Sequence, residues 1–429
     1  MSGKKIFKLI EKIWNYNRSI AGPENNKTLY ELKKINNKLK VNSFKSGAKV
    51  GSWTIPKEWS VKSAWIKNLN GDKVIDISDN NLHIINYSIK VKKKKISSVK
   101  LKKKIYTIPN RPNTIPYITS YYKKDWGFCM SYNQLKKMND KFYNISLDSL
   151  HKKGKMSYGE IFLKGRSKKE ILITTYICHP SMANNELSGP SLVIYLSKWL
   201  CSKKRYYSYR LLFLPETIGA IAYIKKNILE LKKNVIGGFV VTCVGDEKNY
   251  SFLPSKYENS IIDKITENVL KNNKVKYKKY SWLQRGSDER QYNWPNVDLK
   301  ICSLMRSKYH VYPEYHTSDD VLNKVVTKRG LNQSYNIYKK IIKQIEASRF
   351  PISNTLGEPF LSKLNLYPKI GNYYTKTKKK ILSKQILNFL SYSDGNNSNE
   401  EILSICKIDI STSKRLINLL KRKKLINYI

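Results

Sequence analysis

Four apolar runs, at 171–177, 209–214, 238–243 and 299–305, alternate with amphipathic stretches at 191–201, 219–232, 258–271 and 328–348. Short apolar runs without polar alternation predict strands buried on both faces, and the longer stretches with a 3.6-residue period predict helices. Such alternation implies a largely parallel sheet covered by helices on both sides. Ahead of it, Ile6, Leu9, Ile10, Ile13 and Trp14 recur at helical spacing, and a second helix follows the break at Gly22-Pro23, capped by Asn26 or Thr28. Between 45 and 130 the pattern changes to short runs rich in β-branched and aromatic residues, at 53–56, 65–66, 73–77 and 82–85, with Asn70-Gly71-Asp72 as a hairpin turn. The expectation is therefore a small all-β domain at 46–130 inserted into an α/β core made of 1–45 and 131–350. The stretch 351–368 reads as a linker. Beyond it, helices near 378–391, 400–406 and 411–424 and an apolar strand at 425–429 predict a winged-helix-like domain over 363–429.

Composition adjusts this picture only in part. A chain of 429 residues with 41% hydrophobic content is globular, with two or three domains. A net charge of +49 ordinarily points to nucleic acid or an anionic membrane. Here the lysines are spread along the whole length, among many Asn, Ile and Tyr, so a solvated basic surface is the simpler reading and nucleic acid is not favoured as a partner. The lysine runs at 91–95 and 102–104 fit a strand edge or loop. Six cysteines without a C-x-x-C pair suit free thiols in a reducing compartment. With no uncharged signal-like segment and no apolar run of about 18 residues, the expectation is a soluble cytoplasmic protein without a membrane partner. The oligomeric state stays open, a homo-oligomer included.

Chemistry concentrates in four clusters within the α/β region. The first is the loop Cys178-His179-Pro180-Ser181-Met182-Ala183-Asn184-Asn185-Glu186, between a strand and a helix, where open α/β sheets place their sites. Glu216 follows the next strand, Gly286-Ser287-Asp288-Glu289-Arg290 forms the third cluster, and Tyr315-His316-Thr317-Ser318-Asp319-Asp320 the fourth. Imidazole and carboxylate are the usual ligands of catalytic zinc, which keeps one position open for water. His179 and His316 would supply nitrogen, Glu186 or Asp246 oxygen, and Glu216 the general base. Asp288 and Glu289 are further catalytic candidates, with Asn185, Arg290 and Tyr315 near the site. Blander roles stand beside these: Glu216 as a charge at a helix N-terminus, Ser287-Asp288 as a cap, His83 and His310 as structural histidines. No G-x-S-x-G elbow, Walker loop or G-x-G-x-x-G turn follows a strand, which argues against serine-hydrolase and nucleotide chemistry.

The order Ala183-Asn184-Asn185-Glu186-Leu187-Ser188-Gly189, then Glu216-Thr217-Ile218-Gly219, then Ser287-Asp288, then Tyr315-His316-Thr317 resembles the zinc-dependent aminopeptidases of the M28 type over about 165–345. The His-Pro-Ser loop, Ser-Asp-Glu-Arg-Gln and Glu-Tyr-His-Thr-Ser runs look more closely like the aminopeptidase-like DUF4910 family. Trp53-Thr54-Ile55-Pro56 and Asp125-Trp126-Gly127-Phe128 resemble its inserted β domain, DUF2172. The resemblance implies a zinc-exopeptidase-like three-layer core with a mixed sheet, an inserted all-β domain and a C-terminal winged helix. It also implies hydrolysis of an amide bond in a small or peptide-like substrate by metal-activated water, in a family associated with surface-polysaccharide biosynthesis. Asn185 stands where such peptidases place a metal-bridging aspartate, Thr217 replaces a second glutamate, and Cys243 lies near a third ligand position. One Zn2+ ion is accordingly expected rather than two. The alternative is a catalytically degenerate regulatory protein whose basic winged helix, with Lys414, Arg415 and 421–424, contacts DNA or a partner protein.

Overall fold

The computed structural model describes residues 2–367 and 383–429. The chain forms two compact units, Met1–Ile341 and Ile342–Ile429. The first is built on an eight-stranded mixed sheet. Its centre is parallel: Ser208–Leu214, Glu170–Tyr176, Val235–Val240 and Ile301–Met305 lie side by side in that order. Every residue of Glu170–Tyr176 and Ser208–Leu214 is buried, which explains why both read as unbroken apolar runs. The flanks join this centre antiparallel, and the last pair, Tyr250–Leu253 with Tyr277–Lys279, is parallel. Lys155–Leu163 joins Ser208–Leu214 to Lys40–Lys45, and Tyr250–Leu253 runs against Ile301–Met305 and leads on to Tyr277–Lys279.

Four helices match the expected ones within a few residues: Ser188–Cys201, Ile218–Asn234, Ile261–Asn272 and Lys328–Ala347. Ser188–Cys201 is pressed on the sheet at its start, where a Cβ on Gly189 would lie 2.3 Å from the Val241 carbonyl oxygen and 2.5 Å from Thr175 Oγ1. Only glycine permits that approach. Its other side packs against the N-terminal helices Ser2–Ile13 and Pro23–Ile35. The second of these starts at Pro23 behind Gly22, not at Asn26 or Thr28, because proline suits a first helical turn whose N–H has no partner.

The inserted unit is a four-stranded antiparallel sheet in the order Lys73–Asp76, Glu58–Lys67, Phe142–Lys152, Val91–Ser97. It reaches Lys152 rather than ending near 130, since Phe142–Lys152 pairs along both neighbours and sends Tyr143, Ile145 and Leu147 into the core. Val91–Ser97 is an edge strand with Lys92 to Lys95 exposed, a charged rim that discourages edge-to-edge association.

In the second unit, Ser383–Ser391, Asn399–Ile405 and Ile410–Arg422 enclose a core of Leu361, Ile386, Phe389, Ile402, Leu416 and Leu420. The strand Ile426–Tyr428 pairs antiparallel with Pro351–Ser353, so the segment expected to be a linker opens with a strand of this module. The start of the helix expected over 378–391 lies outside the described residues. Among the described residues no helix is long and apolar enough to cross a membrane.

Candidate active site

All four expected clusters meet at the carboxyl-end edge of the central strands. The loop after Glu170–Tyr176 carries His179, 2% exposed, whose Nδ1 lies 2.7 Å from Glu186 Oε2. Its Nε2 lies 3.8 Å from Glu216 Oε2, at the end of Ser208–Leu214. The His316 ring sits 5.1 Å from that of His179, centre to centre, and Tyr315 stacks on it at 3.9 Å and 12°. Asp288 Oδ1 accepts the Thr217 N–H at 2.7 Å, and Ser287 Oγ hydrogen-bonds Glu216 Oε1.

The backbone is bent to achieve this. Ser181, Met182, Thr217, Cys243 and His316 all have left-handed φ between 50° and 61°. For a β-branched residue such as Thr217 this is a true outlier, of the kind that persists only where its surroundings enforce it. Asp288 provides part of that enforcement. Residues 183–187 form a single π-helical turn, another irregularity common at functional sites. Asp320 fixes this turn by accepting the backbone N–H groups of Asn184 and Asn185 at 2.7 and 2.9 Å.

The remaining candidates are turned to other tasks. Asp246 accepts from Asn184 Nδ2 at 2.9 Å, from Lys248 N at 2.9 Å and from Ser307 N at 3.0 Å, so its carboxylate braces two loops. Glu289 accepts from Ser303 Oγ and from Tyr309 OH at 3.3 Å. Arg290 is exposed and donates to the Arg285 carbonyl. Asn185 is 1% exposed; its Oδ1 accepts from Tyr176 OH at 3.4 Å.

Sequence reasoning did not single out three contributors. Arg18, fully buried, donates to the carbonyls of His179 at 2.8 Å and Ser181 at 3.2 Å and pins the histidine loop. Asp320 belongs to the fourth cluster, where the pattern gives it no role of its own. Tyr117 meets both histidine rings edge-on, at 5.1 and 5.3 Å. It arrives on the segment returning from the inserted sheet, which pairs with the fourth cluster through Tyr117 N to His316 O, 3.0 Å. Only the crowd of tyrosines around 115–122 hinted at it.

Electrostatics divide the site. Burial opposes charging His179, yet the neighbouring Cys178 and Glu186 together outweigh it and raise the imidazole well above its ordinary value. Burial and the neighbouring His179 hold His316 well below it, so that ring is neutral near pH 7. Burial lifts Asp288 well above the usual carboxylate range, with Glu216 adding repulsion. Glu216 is raised too, by burial that His179 partly offsets, although 21% of its side chain is exposed. The Cys178 thiol is pushed up to about 12 by burial and stays protonated.

Among the described residues, Cys178, His179 and Glu186 form a close group of potential metal ligands. Two ligand atoms bound tetrahedrally to zinc at about 2.0–2.1 Å would lie roughly 3.3 Å apart. The 2.7 Å between His179 Nδ1 and Glu186 Oε2 instead suits a shared proton, the carboxylate–histidine contact that orients a ligating imidazole through its other nitrogen. Nε2 then faces Glu216. His316 Nε2, Asp288 Oδ2 and Glu186 Oε1 are buried without a hydrogen-bond partner. His179 and His316 each offer an imidazole nitrogen near the Glu216 carboxylate, the donor types that zinc takes, whereas the described residues whose ligand atoms all lie within 4.8 Å of one another are Cys178, His179 and Glu186.

The family model described as a domain of unknown function, DUF4910, matches residues 7–348. The chain belongs to the DUF4910 family. A winged helix-turn-helix model matches the remainder, 349–428. A Clostridium acetobutylicum relative is 39% identical over all of this chain and 97% of its own length; it is provisionally named a polysaccharide biosynthesis protein with aminopeptidase-like domain. A crystal structure of a provisionally named peptidase from Clostridium acetobutylicum is 38% identical, with a TM-score of 0.81 over 100% of this chain and 96% of that one. The DUF4910 core also shares its fold with a zinc aminopeptidase from Bacillus subtilis, at 13% identity and a TM-score of 0.59, covering 80% of this chain and 94% of that one. The mixed α/β architecture and winged-helix domain expected from sequence are thus found.

Proposed function

We propose that this DUF4910 protein is a zinc-dependent amide hydrolase of aminopeptidase type. The observation that carries the reading is the buried, unpartnered His316 Nε2 on a ring 5.1 Å from that of His179, whose own Nε2 lies 3.8 Å from Glu216. His179 and His316 would hold the ion, with Glu186 orienting His179 through Nδ1. A bound zinc ion supplies a Lewis acid and lowers the pKa of a coordinated water to about 7. Glu216, at the partly open edge, takes a proton from the attacking water and returns it to the leaving nitrogen as the acyl C–N bond breaks. Asp288 and Ser287 hold Glu216 and its strained turn in place. Support also comes from the aminopeptidase-like naming of the Clostridium acetobutylicum relative and from the fold shared with zinc aminopeptidases.

Metal analysis of protein purified without chelator should find about one zinc per chain, and EDTA should lower Tm as a ligand bound only by the folded state is withdrawn. Glu216→Gln should cut amide turnover by about 10²–10⁴-fold while zinc content is kept. Loss of zinc in that variant would make Glu216 a ligand instead, and unchanged turnover would remove it from the mechanism.

A further inference from the structure

A 620 Å³ cleft opens beside the candidate site, lined by Trp14, by Glu24 at the head of the second helix, by the 77–82 turn of the inserted sheet, and by Ser181 and Thr317. Ser181 is two residues from His179, and Thr317 is next to His316. Its size is that of small-molecule sites, about 300–1,000 Å³.

The lining has an unusual charge character for this chain. The protein carries 81 lysines and arginines, yet none lines the cleft. An anionic ligand needs cationic or oriented N–H partners, so phosphorylated and carboxylate-rich molecules are disfavoured. The two carboxylates that do line it, Glu24 and Asp79, already pair with Lys27 at 2.7 Å and Lys73 at 2.9 Å. What remains is dense in neutral donors and acceptors. Asn81 Oδ1 accepts from Ser181 Oγ at 2.8 Å, which ties the cleft floor to the histidine loop. Asn17 contributes a side-chain amide whose nitrogen and oxygen are both buried with no partner. An amide left in that state costs about 1–3 kcal/mol, and a turn of the Asn17 side chain into the cleft would let a ligand offering both a hydroxyl donor and an acceptor relieve it. Trp14, half-buried, offers an apolar face beside these groups.

We propose that this cleft is a binding subsite for an uncharged, polyhydroxylated group of sugar size, the part of the substrate that lies next to the scissile amide. Paired amides satisfy vicinal hydroxyls, and an indole face covers the C–H face of a pyranose ring. The proposal deepens the hydrolase reading and depends on it only for the word substrate; the binding itself is measurable without turnover.

The test is titration calorimetry of the full chain with a charge series on one skeleton: N-acetylglucosamine, its 6-phosphate, and glucosamine. The neutral sugar should bind at least tenfold more tightly than either charged form, and Asn17→Ala and Trp14→Ala should each weaken it tenfold or more, with Trp14→Phe retaining most of it. If a substitution lowers Tm so far that the variant unfolds, the charge series on the unmodified protein decides alone. Equal or tighter binding of a charged form, no saturable binding of the neutral one, or unchanged affinity in folded Asn17 and Trp14 variants would overturn the subsite. Zinc content and amide turnover are read separately, so their absence with the sugar series intact would overturn only the hydrolase reading.

Discussion

Two buried polar clusters lie on the same central strands and differ in completeness. Near the amino end of Glu170–Tyr176, Arg210 donates to Glu170 at 2.7 Å, Glu160 at 2.7 Å, Glu230 at 2.6 Å and Tyr223 OH at 2.9 Å. Three carboxylates face its one charge, and all three of its nitrogens are engaged. At the carboxyl end, His316 Nε2, Asp288 Oδ2 and Glu186 Oε1 are buried and stay unpartnered. Folding stability rewards the first arrangement and penalises the second, because a buried polar group without a partner costs free energy. An incomplete cluster therefore signals a partner from outside the chain, whereas a complete one signals architecture.

The comparison breaks most directly at its complete end. Arg210→Ala strands Glu170 as a buried charge and should destabilise the protein by about 3–5 kcal/mol in chemical denaturation, with zinc content per folded chain unchanged. A loss of zinc there would mean that the two ends are not separable.

A second test uses pH. Burial pushes the Asp320 carboxyl up to about 7, although it accepts from Asn184 N, Asn185 N and Tyr312 OH. The unfolded chain releases this proton near 3.9, so the folded state holds it over a higher range. The resulting stabilisation is full below about pH 4 and is lost as pH rises through 7, amounting to at most about 4 kcal/mol across the window. The stability difference between the unmodified protein and Asp320→Asn should shift by that sign and order between pH 4 and 7.5; a flat difference refutes it.

The mildest test leaves the sequence intact. Chelation should raise amide hydrogen exchange in the loops at 178–189 and 315–320 and leave the strand segments around Glu170 and Arg210 protected. Uniform loosening would erase the distinction between the two clusters.

Much of this arrangement was legible in the chain. The parallel strands announce themselves because burial on both faces demands unbroken apolar runs, and His179, Glu216 and His316 stand out because they sit in loops directly after such runs or in the motif order of the family. The consecutive strands Phe142–Lys152 and Lys155–Leu163, which belong to different sheets, escape the pattern reading despite a visible period of two in Tyr143, Ile145 and Leu147, because Lys, Asp and Asn occupy the outer face of the first. Residue type does not disclose where a carboxylate points: Asp246 and Glu289 have the right chemistry but are committed to hydrogen bonds that only the tertiary fold creates. Arg18 and Tyr117 act from 161 residues away in one case and from the inserted sheet in the other, distances that local pattern does not register.

The left-handed Thr217 bears on how this protein can evolve. Glycine lacks the Cβ that is crowded at φ 61°, so Thr217→Gly is open as a route to a more stable fold wherever that relief exceeds the added freedom of the unfolded chain. Such a change would also free the Glu216 turn to wander, so thermostability and turnover should trade against each other at this one position. A lineage selected for activity would keep the strained side chain, and one that had abandoned catalysis would be free to lose it.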